Sequence, residues 1–399
     1  MKSRFNLITA LLLVVVLAGA GFANGLSLNS IGPRALGMGG AFVGLANDAS
    51  AIYWNPAGLS GQNSHVMVFM TDIIPTATYQ TPDGVPAAYA VDAQTKSNHY
   101  ISPNLFAAYN MGDWTLGMGV FVPAGLGAEW DKADFGAELM SYLRVVSFSP
   151  SVAYKINDQF SLGLAVNVFY GMMDMKRSEG TDQYSEESSG TGVGATIGLK
   201  YNFTEQLSLG ITYKTPVKVA FEGDADMGAL AMEIKRDIEW PTWIGVGLAY
   251  HVCENWVITL DGQYSNWKSL ESIETESSFD HPLAGPMTVN DTLDLKWESA
   301  LQIRVGTAYQ VNDQFTIRGG YYYDPAPAPD ETLNILFPSS TNHAFTAGAS
   351  YAVGDIMIDL GLEYLLGAER DIEMNAVNEM PGKHQLNIFA FSLGLGYSF

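Results

Sequence analysis

The side chains able to do chemistry in this sequence are few and scattered. Its six histidines, at positions 65, 99, 251, 281, 343 and 384, form no His-Glu-x-x-His pair, and no Gly-x-Ser-x-Gly elbow occurs. Cys253 is the single cysteine, which excludes an intramolecular disulfide and any multi-cysteine zinc or iron–sulfur centre. Gly37-Met38-Gly39-Gly40 has the glycine density of a phosphate loop. It lacks the apolar strand such a loop follows, and no lysine comes after it in Walker fashion. Neither an enzyme, a cofactor nor a metal is expected. What the chain does carry is charge. Its 42 Asp+Glu against 20 Lys+Arg give a formal net charge of −22. A surface this acidic repels phosphate backbones, so nucleic acid is not expected as a partner.

The rest of the composition is apolar. Of 399 residues, 47% are hydrophobic, 12% aromatic and only 16% charged, with 41 glycines. That rules out disorder as the main state. The first residues stand apart. Lys2 and Arg4 precede the apolar run from Leu7 to Ala18, and small residues follow through Ala23. This is the pattern of a secretory signal peptide over residues 1–23, because the run is too short to span a bilayer. Without Lys2 and Arg4 the mature chain has 18 basic residues against 42 acidic ones, a charge of −24. An exported, apolar chain without disulfides or a spanning helix is a soluble secreted domain or an outer-membrane barrel, and periodicity separates the two.

The period is two throughout. Phe389, Phe391, Leu393, Leu395, Tyr397 and Phe399 alternate with Ala390, Ser392, Gly394, Gly396 and Ser398. The runs 160–170, 193–203, 244–250, 301–309 and 356–364 read the same way. Strict alternation is a strand with two unlike faces, and here the second face is small rather than charged. That suits a barrel wall with lipid outside and a filled or narrow lumen. Aromatics such as Tyr170, Tyr213, Tyr264, Trp267, Tyr321 and Tyr323 fall at strand ends, as interfacial girdles do.

Two classes of connection join the strands. Short polar turns lie at 110–113, 156–158, 202–205, 252–255, 311–313 and 353–355. Their Asn, Asp and Gly residues suit tight turns. Longer connections lie around 78–97, 125–141, 175–190, 223–236, 268–292, 324–342 and 367–384. Six short and seven long connections predict an all-β fold, a transmembrane antiparallel barrel of about 14 strands over residues 63–399, with both termini periplasmic. Such a barrel is wider than one that side chains alone can fill. Residues 24–62 do not alternate, and they are compact, rich in small residues and nearly uncharged. They are expected to form a hatch, a plug folded inside the lumen.

Some charges fall on the small face. Arg304 and Arg318 fall there, as do Asp261, Asp359 and Glu363. A lone buried charge is costly unless paired, so these arginines belong either to an interior salt-bridge network or to ligand contacts. Phe135, Leu139 and Met140, in the long connection 133–143, offer an apolar landing surface for a ligand. Pro123, among Gly119, Gly125 and Gly127, cannot donate to a ladder. It either starts a loop or breaks the pairing of its strand.

Gly37-Met38-Gly39-Gly40-Ala41-Phe42, then Asp48-Ala49-Ser50-Ala51, then Asn55-Pro56-Ala57-Gly58-Leu59 resemble the N-terminus of FadL-type outer-membrane transporters of long-chain fatty acids and other hydrophobic compounds. The resemblance covers the mature chain, including Phe121 to Gly127, Pro150 to Tyr154, Arg318 to Tyr321 and the closing Phe399. It implies a 14-stranded barrel with an N-terminal hatch and a kinked third strand that opens the wall sideways. It also implies that Asn55, Pro56 and Ala57 seat against that gap, near residues 119–125. Arg177 stands where the family places a carboxylate-binding arginine, with Lys176 beside it. The expected localisation is the bacterial outer membrane, reached through a cleaved signal peptide. The expected partners are a long-chain fatty acid or other hydrophobic small molecule, outer-membrane lipid and lipopolysaccharide, and the barrel-assembly machinery reading Phe399. A monomer is expected. The rival readings are a water-filled general porin, an outer-membrane enzyme, and an adhesin using the acidic loop around Glu271, Glu274, Glu276 and Asp280.

Overall fold

The computed structural model describes residues 25–180, 182–281, 283–373 and 380–399. The expected signal peptide, 1–23, lies outside the described residues. The strands are β1 (His65–Gln80), β2 (Asp92–Gln94), β3 (Tyr100–Met111), β4 (Trp114–Trp130), β5 (Leu139–Lys155), β6 (Phe160–Glu179) and β7 (Asp182–Asn202). There follow β8 (Leu207–Lys214), β9 (Val217–Met227), β10 (Leu230–Trp240), β11 (Trp243–Cys253), β12 (Trp256–Ser265), β13 (Ser272–His281) and β14 (Gly285–Asp294). The last are β15 (Ala300–Gln310), β16 (Phe315–Asp324), β17 (Asn342–Val353), β18 (Ile356–Gly367), β19 (Arg370–Ile372) and β20 (Gly382–Ser398).

Neighbours pair antiparallel, and β20 returns to β1 from His65↔Ser398 to Gln80↔Lys383, so the sheet closes on itself. The wall has 14 strands, as the periodicity predicts. Several long connections are more ordered than the sequence suggests. β9 with β10, and β13 with β14, form hairpins beyond the wall. β4 and β5 run on to Trp130 and from Leu139, so Leu139, Met140, Tyr142 and Leu143 are strand residues, not loop residues. The reason is cooperative. Once a hairpin's ladder is in register, extending it costs less than leaving its backbone groups unpaired.

One face of each wall strand is a belt of exposed apolar groups. On β6 these are Leu162, Leu164, Val166, Val168 and Tyr170, each 39–44% exposed. Trp114, Tyr154, Trp256, Tyr309, Tyr351 and Tyr397 ring the short-turn end. An apolar belt with aromatic rims is the outer surface of a membrane barrel. No described helix is long and apolar enough to cross a membrane.

The other face packs on residues 25–62, most of them buried inside the barrel. Here the small inner face finds its cause, the close approach of hatch backbone. A Cβ on Gly163 would overlap the Pro56–Ala57 peptide, and one on Gly210 would overlap the Val43 carbonyl. One on Gly361 would lie 2.6 Å from Pro33 O. Polar side chains bind the same backbone. Arg304 Nη1 donates to Gly39 O (2.9 Å), Gln263 Nε2 to Gly40 O (3.0 Å), Lys200 Nζ to Leu45 O (2.7 Å) and Thr212 Oγ1 to Trp54 O (2.9 Å). Asp261 Oδ2 accepts from Val43 N (2.8 Å). A segment with so little regular structure must satisfy its backbone this way, because each orphan buried group costs about 1–3 kcal/mol.

Candidate ligand site in the barrel wall

The wall parts between β3 and β4. Their ladder runs from Met111↔Trp114 to Leu105↔Val120 and stops, so residues 100–104 have no partner on β4. On the far side of β4 the register with β5 shifts between Phe121 and Ala124. Pro123 sits at this shift, inside the strand rather than at a loop start. It has no N–H to give, and the chain bends where the ladder would have lost a bond in any case.

What takes the empty edge is the start of the hatch. Leu28 N donates to Pro123 O (2.9 Å), Gly125 N donates to Leu26 O (3.1 Å), and Ser27 bridges Ala124 antiparallel. Val122 N is satisfied by Asn104 Oδ1 at 3.0 Å. The seam closes again farther on, where Thr95 bridges Trp130 and Lys96 N donates to Glu129 O (2.8 Å). The gap is therefore a window with two closed ends. Its outer rim is tied by Glu129, which accepts from Lys96 Nζ (2.7 Å), Asn98 Nδ2 (2.7 Å) and Tyr142 OH (2.5 Å). The bond to Glu129 raises the Lys96 pKa, and the Lys176 ammonium lowers that of Glu138.

A cavity of about 700 Å³ occupies this window. It touches lumen-facing Ile73, Leu365 and Leu386, and also Ile101, Pro103 and Val120, which face outward on β3 and β4. One apolar space thus runs from inside the barrel through the wall to its lipid face. A greasy molecule can follow it without crossing bulk water.

The residues singled out in the sequence are placed as follows. Pro123, Gly125 and Gly119 are at or beside the window, and a Cβ on Gly119 would press on the Phe106 and Phe121 rings at 2.9–3.1 Å. Asn55, Pro56 and Ala57 are not there, contrary to what the resemblance implied. Asn55 caps the short helix Pro56–Leu59 through Ala57 N (3.2 Å) and donates to Val43 O (3.1 Å) and Leu199 O (3.0 Å). This turn seats on Gly163 of β6 and Gly198 of β7, whose missing side chains are what make room for it.

Arg304 is fully buried and spent on Gly39 O, Gln302 Oε1 (2.7 Å) and the Tyr322 ring at 4.2 Å. Arg318 donates to Ser350 Oγ (2.5 Å), which donates in turn to Asp359. Asp359 pairs with Arg34 of the hatch at 3.0 Å. Both arginines are thus part of an interior network that anchors the hatch. Arg177 faces inward near the long-loop end, stacked over Tyr184 at 4.9 Å and within 3.4 Å of Glu179 and 3.9 Å of Asp291. Lys176, one residue earlier, has the opposite facing and pairs outside with Glu138 at 2.8 Å, so the two cations do not form one site. Phe135 packs on Trp130 and Tyr79, with Leu139 in the same cluster. Met140 pairs with Glu129 and Lys176 across the ladder.

Sequence reasoning missed Leu26 to Leu28 as a strand partner, the Lys96–Glu129–Tyr142 clasp, and Lys214, whose ammonium lies over the Tyr53 ring at 3.2 Å and near the Trp243 ring at 4.4 Å. Pro123 among its glycines, with the resemblance, signalled the window.

Comparison with known proteins agrees with this geometry. Residues 14–399 match the family described as outer membrane protein transport protein (OMPP1/FadL/TodX). Outer membrane protein P1 of Haemophilus influenzae is 23% identical, over 99% of this chain and 100% of its own. The long-chain fatty acid transport protein of Salmonella typhi is 23% identical, over 100% and 99%. Among solved structures, a FadL homologue of Pseudomonas aeruginosa superposes with a TM-score of 0.80 at 16% identity, covering 94% of this chain and 100% of that one. The toluene transporter TodX of P. putida gives 0.75 at 18%, covering 93% and 99%. With the family matched over nearly its whole length, this chain belongs to the OMPP1/FadL/TodX family of outer-membrane transport proteins.

Proposed function

We propose that this transporter takes up long-chain fatty acids or other hydrophobic small molecules and releases them sideways, through the window between β3 and β4, into the outer membrane. The observation that carries this reading is the cavity that joins lumen-facing Ile73 and Leu386 to lipid-facing Ile101 and Pro103. The relatives' names, a long-chain fatty acid transport protein and a toluene transporter, point to apolar cargo. A water-filled porin fits less well, since residues 25–62 fill the lumen. Capture would begin at the long-loop end, on the apolar group around Phe135, Leu139 and Trp130. Asn55, Pro56 and Ala57 would hold the hatch in place rather than gate the window. The protein would act as a monomer amid lipid and lipopolysaccharide, its closing Phe399 offered to the barrel-assembly machinery.

The test is a cross-link. Ser27 and Ala124 are directly opposed, at a spacing that suits a disulfide. In a Cys253→Ser background, Ser27→Cys with Ala124→Cys should block uptake under oxidation and recover it on reduction, with heat modifiability normal throughout. Uptake at the wild-type rate in the oxidised protein would mean that the window is not the route.

A further inference from the structure

Resting on the transport reading, the outer part of the window shows what limits the cargo. Along the open edge of β4, Pro123 and Gly125 bond to the hatch, and Glu129 O accepts from Lys96 N. Gly127 lies between these two attachments. Among the described residues, no backbone group bonds to it across the gap. A side chain covers it instead, since a Cβ on Gly127 would overlap the Tyr100 ring.

Tyr100 belongs by register to the opposite face of the wall. It pairs with lumen-facing Ile73 on β1, and Ser102, two residues on, is buried. Gly127 instead pairs with Tyr142 of β5, and Gly125 pairs with exposed Arg144, so a Cβ on Gly127 would point out of the barrel. The Tyr100 side chain therefore starts on the inner face of β3 and ends on the outer face of β4. It crosses the wall through the gap, and meets the Tyr142 ring edge-on at 5.6 Å. A hydrogen-bonded ladder between β3 and β4 would leave no room for this crossing, because paired strands stand only about 4.8 Å apart.

Tyr100, Gly127 and Tyr142 all line the cavity. So does Ser102, and with Gly127 bare and Ser102 small, the Tyr100 ring is the bulk in this part of the gap. The ring is half-buried, and its ring contact is a single edge-on one. Turning it aside is a rotamer change that breaks no backbone hydrogen bond. A turned ring stays tethered in the gap and shares it with whatever passes.

We propose that Tyr100 sets the breadth of the cargo. Its ring closes the outer part of the window at rest. Turned aside, it admits a linear chain or a single ring but not a fused polycycle, because the excess width has no other space to take.

The experiment measures uptake of radiolabelled hexadecane and pyrene by cells making the full-length protein, with uptake by cells lacking it subtracted. Tyr100→Ala should raise the pyrene-to-hexadecane ratio at least fivefold. Tyr100→Phe keeps the ring and should keep the wild-type ratio. Gly127→Ala leaves Tyr100 in place but drives its ring off β4, and should raise the ratio at least twofold. Heat modifiability must be normal in each variant. Should Tyr100→Ala fail to assemble, Gly127→Ala decides alone. A wild-type ratio in the assembled Tyr100→Ala or Gly127→Ala protein would overturn the assignment, as would a ratio raised equally by Tyr100→Phe. The oxidised Ser27–Ala124 link separates this from the transport reading. If the link blocks hexadecane and the ratios do not move, only the role of Tyr100 falls. If hexadecane enters at the wild-type rate despite the link, the lateral route falls and the role of Tyr100 with it.

Discussion

The amide of Leu28 donates to the carbonyl of Pro123 across 2.9 Å, joining the first residues of the hatch to the strand that breaks the wall. The hatch therefore supplies the pairing that β3 withholds. The rest of it is fixed by bonds to several wall strands, and this end is held at the window by the two backbone hydrogen bonds that flank the Ser27–Ala124 pair and by the buried Leu26 side chain. Moving residues 26–28 away would uncover this edge, at a cost of about 1 kcal/mol for each bond exchanged for another partner plus the burial of Leu26.

Gly125 lines the cavity, and a Cβ there would meet nothing nearer than Leu143 O at 3.4 Å. Gly125→Trp should therefore fold, fill the passage and cut uptake at least tenfold, with heat modifiability unchanged. Radiolabelled ligand uptake in cells checks it.

Arg304 pins Gly39 of the hatch with a charge-assisted bond. Arg304→Met keeps most of the stem and removes the guanidinium, at a cost of about 1.5–3 kcal/mol to the hatch. Intact protein should show little steady conductance in a planar bilayer. The variant should show intermittent openings, and limited proteolysis should cut residues 25–62 first.

Arg177 already has Glu179, Asp291 and the Tyr184 ring as partners. Arg177→Ala is expected to shift decanoate and decanol affinities by the same small factor, less than threefold. A selective loss of decanoate would instead make this arginine a carboxylate ligand, as the resemblance implied.

The outer clasps should be insensitive to ordinary pH. Lys96 has a raised pKa, so its contribution is complete below the usual lysine value and is lost only as pH rises through the raised one. Glu138 has a lowered pKa, so its contribution is complete above the usual carboxylate value and is lost as pH falls through the lowered one. Amide protection around residues 95–98 and 138–140 should be flat from about pH 5 to pH 10 and weaken outside that window.

The sequence by itself determined the barrel. Alternation such as Phe389 to Phe399 and the Asn-Asp-Gly turns are local signals, since strand facing and turn geometry depend on neighbours in the chain. It also determined that the lumen is filled, because glycines such as Gly163 and Gly210 are required wherever backbone meets backbone. Tertiary structure decided the site. Residue 27 meets residue 124, residue 29 meets residue 324, and Asn55 reaches Leu199 rather than the broken strand. No local pattern encodes these meetings. They follow from which wall strands each hatch segment passes once the barrel has closed, and from the edge that β4 leaves free when Pro123 bends it away from β3.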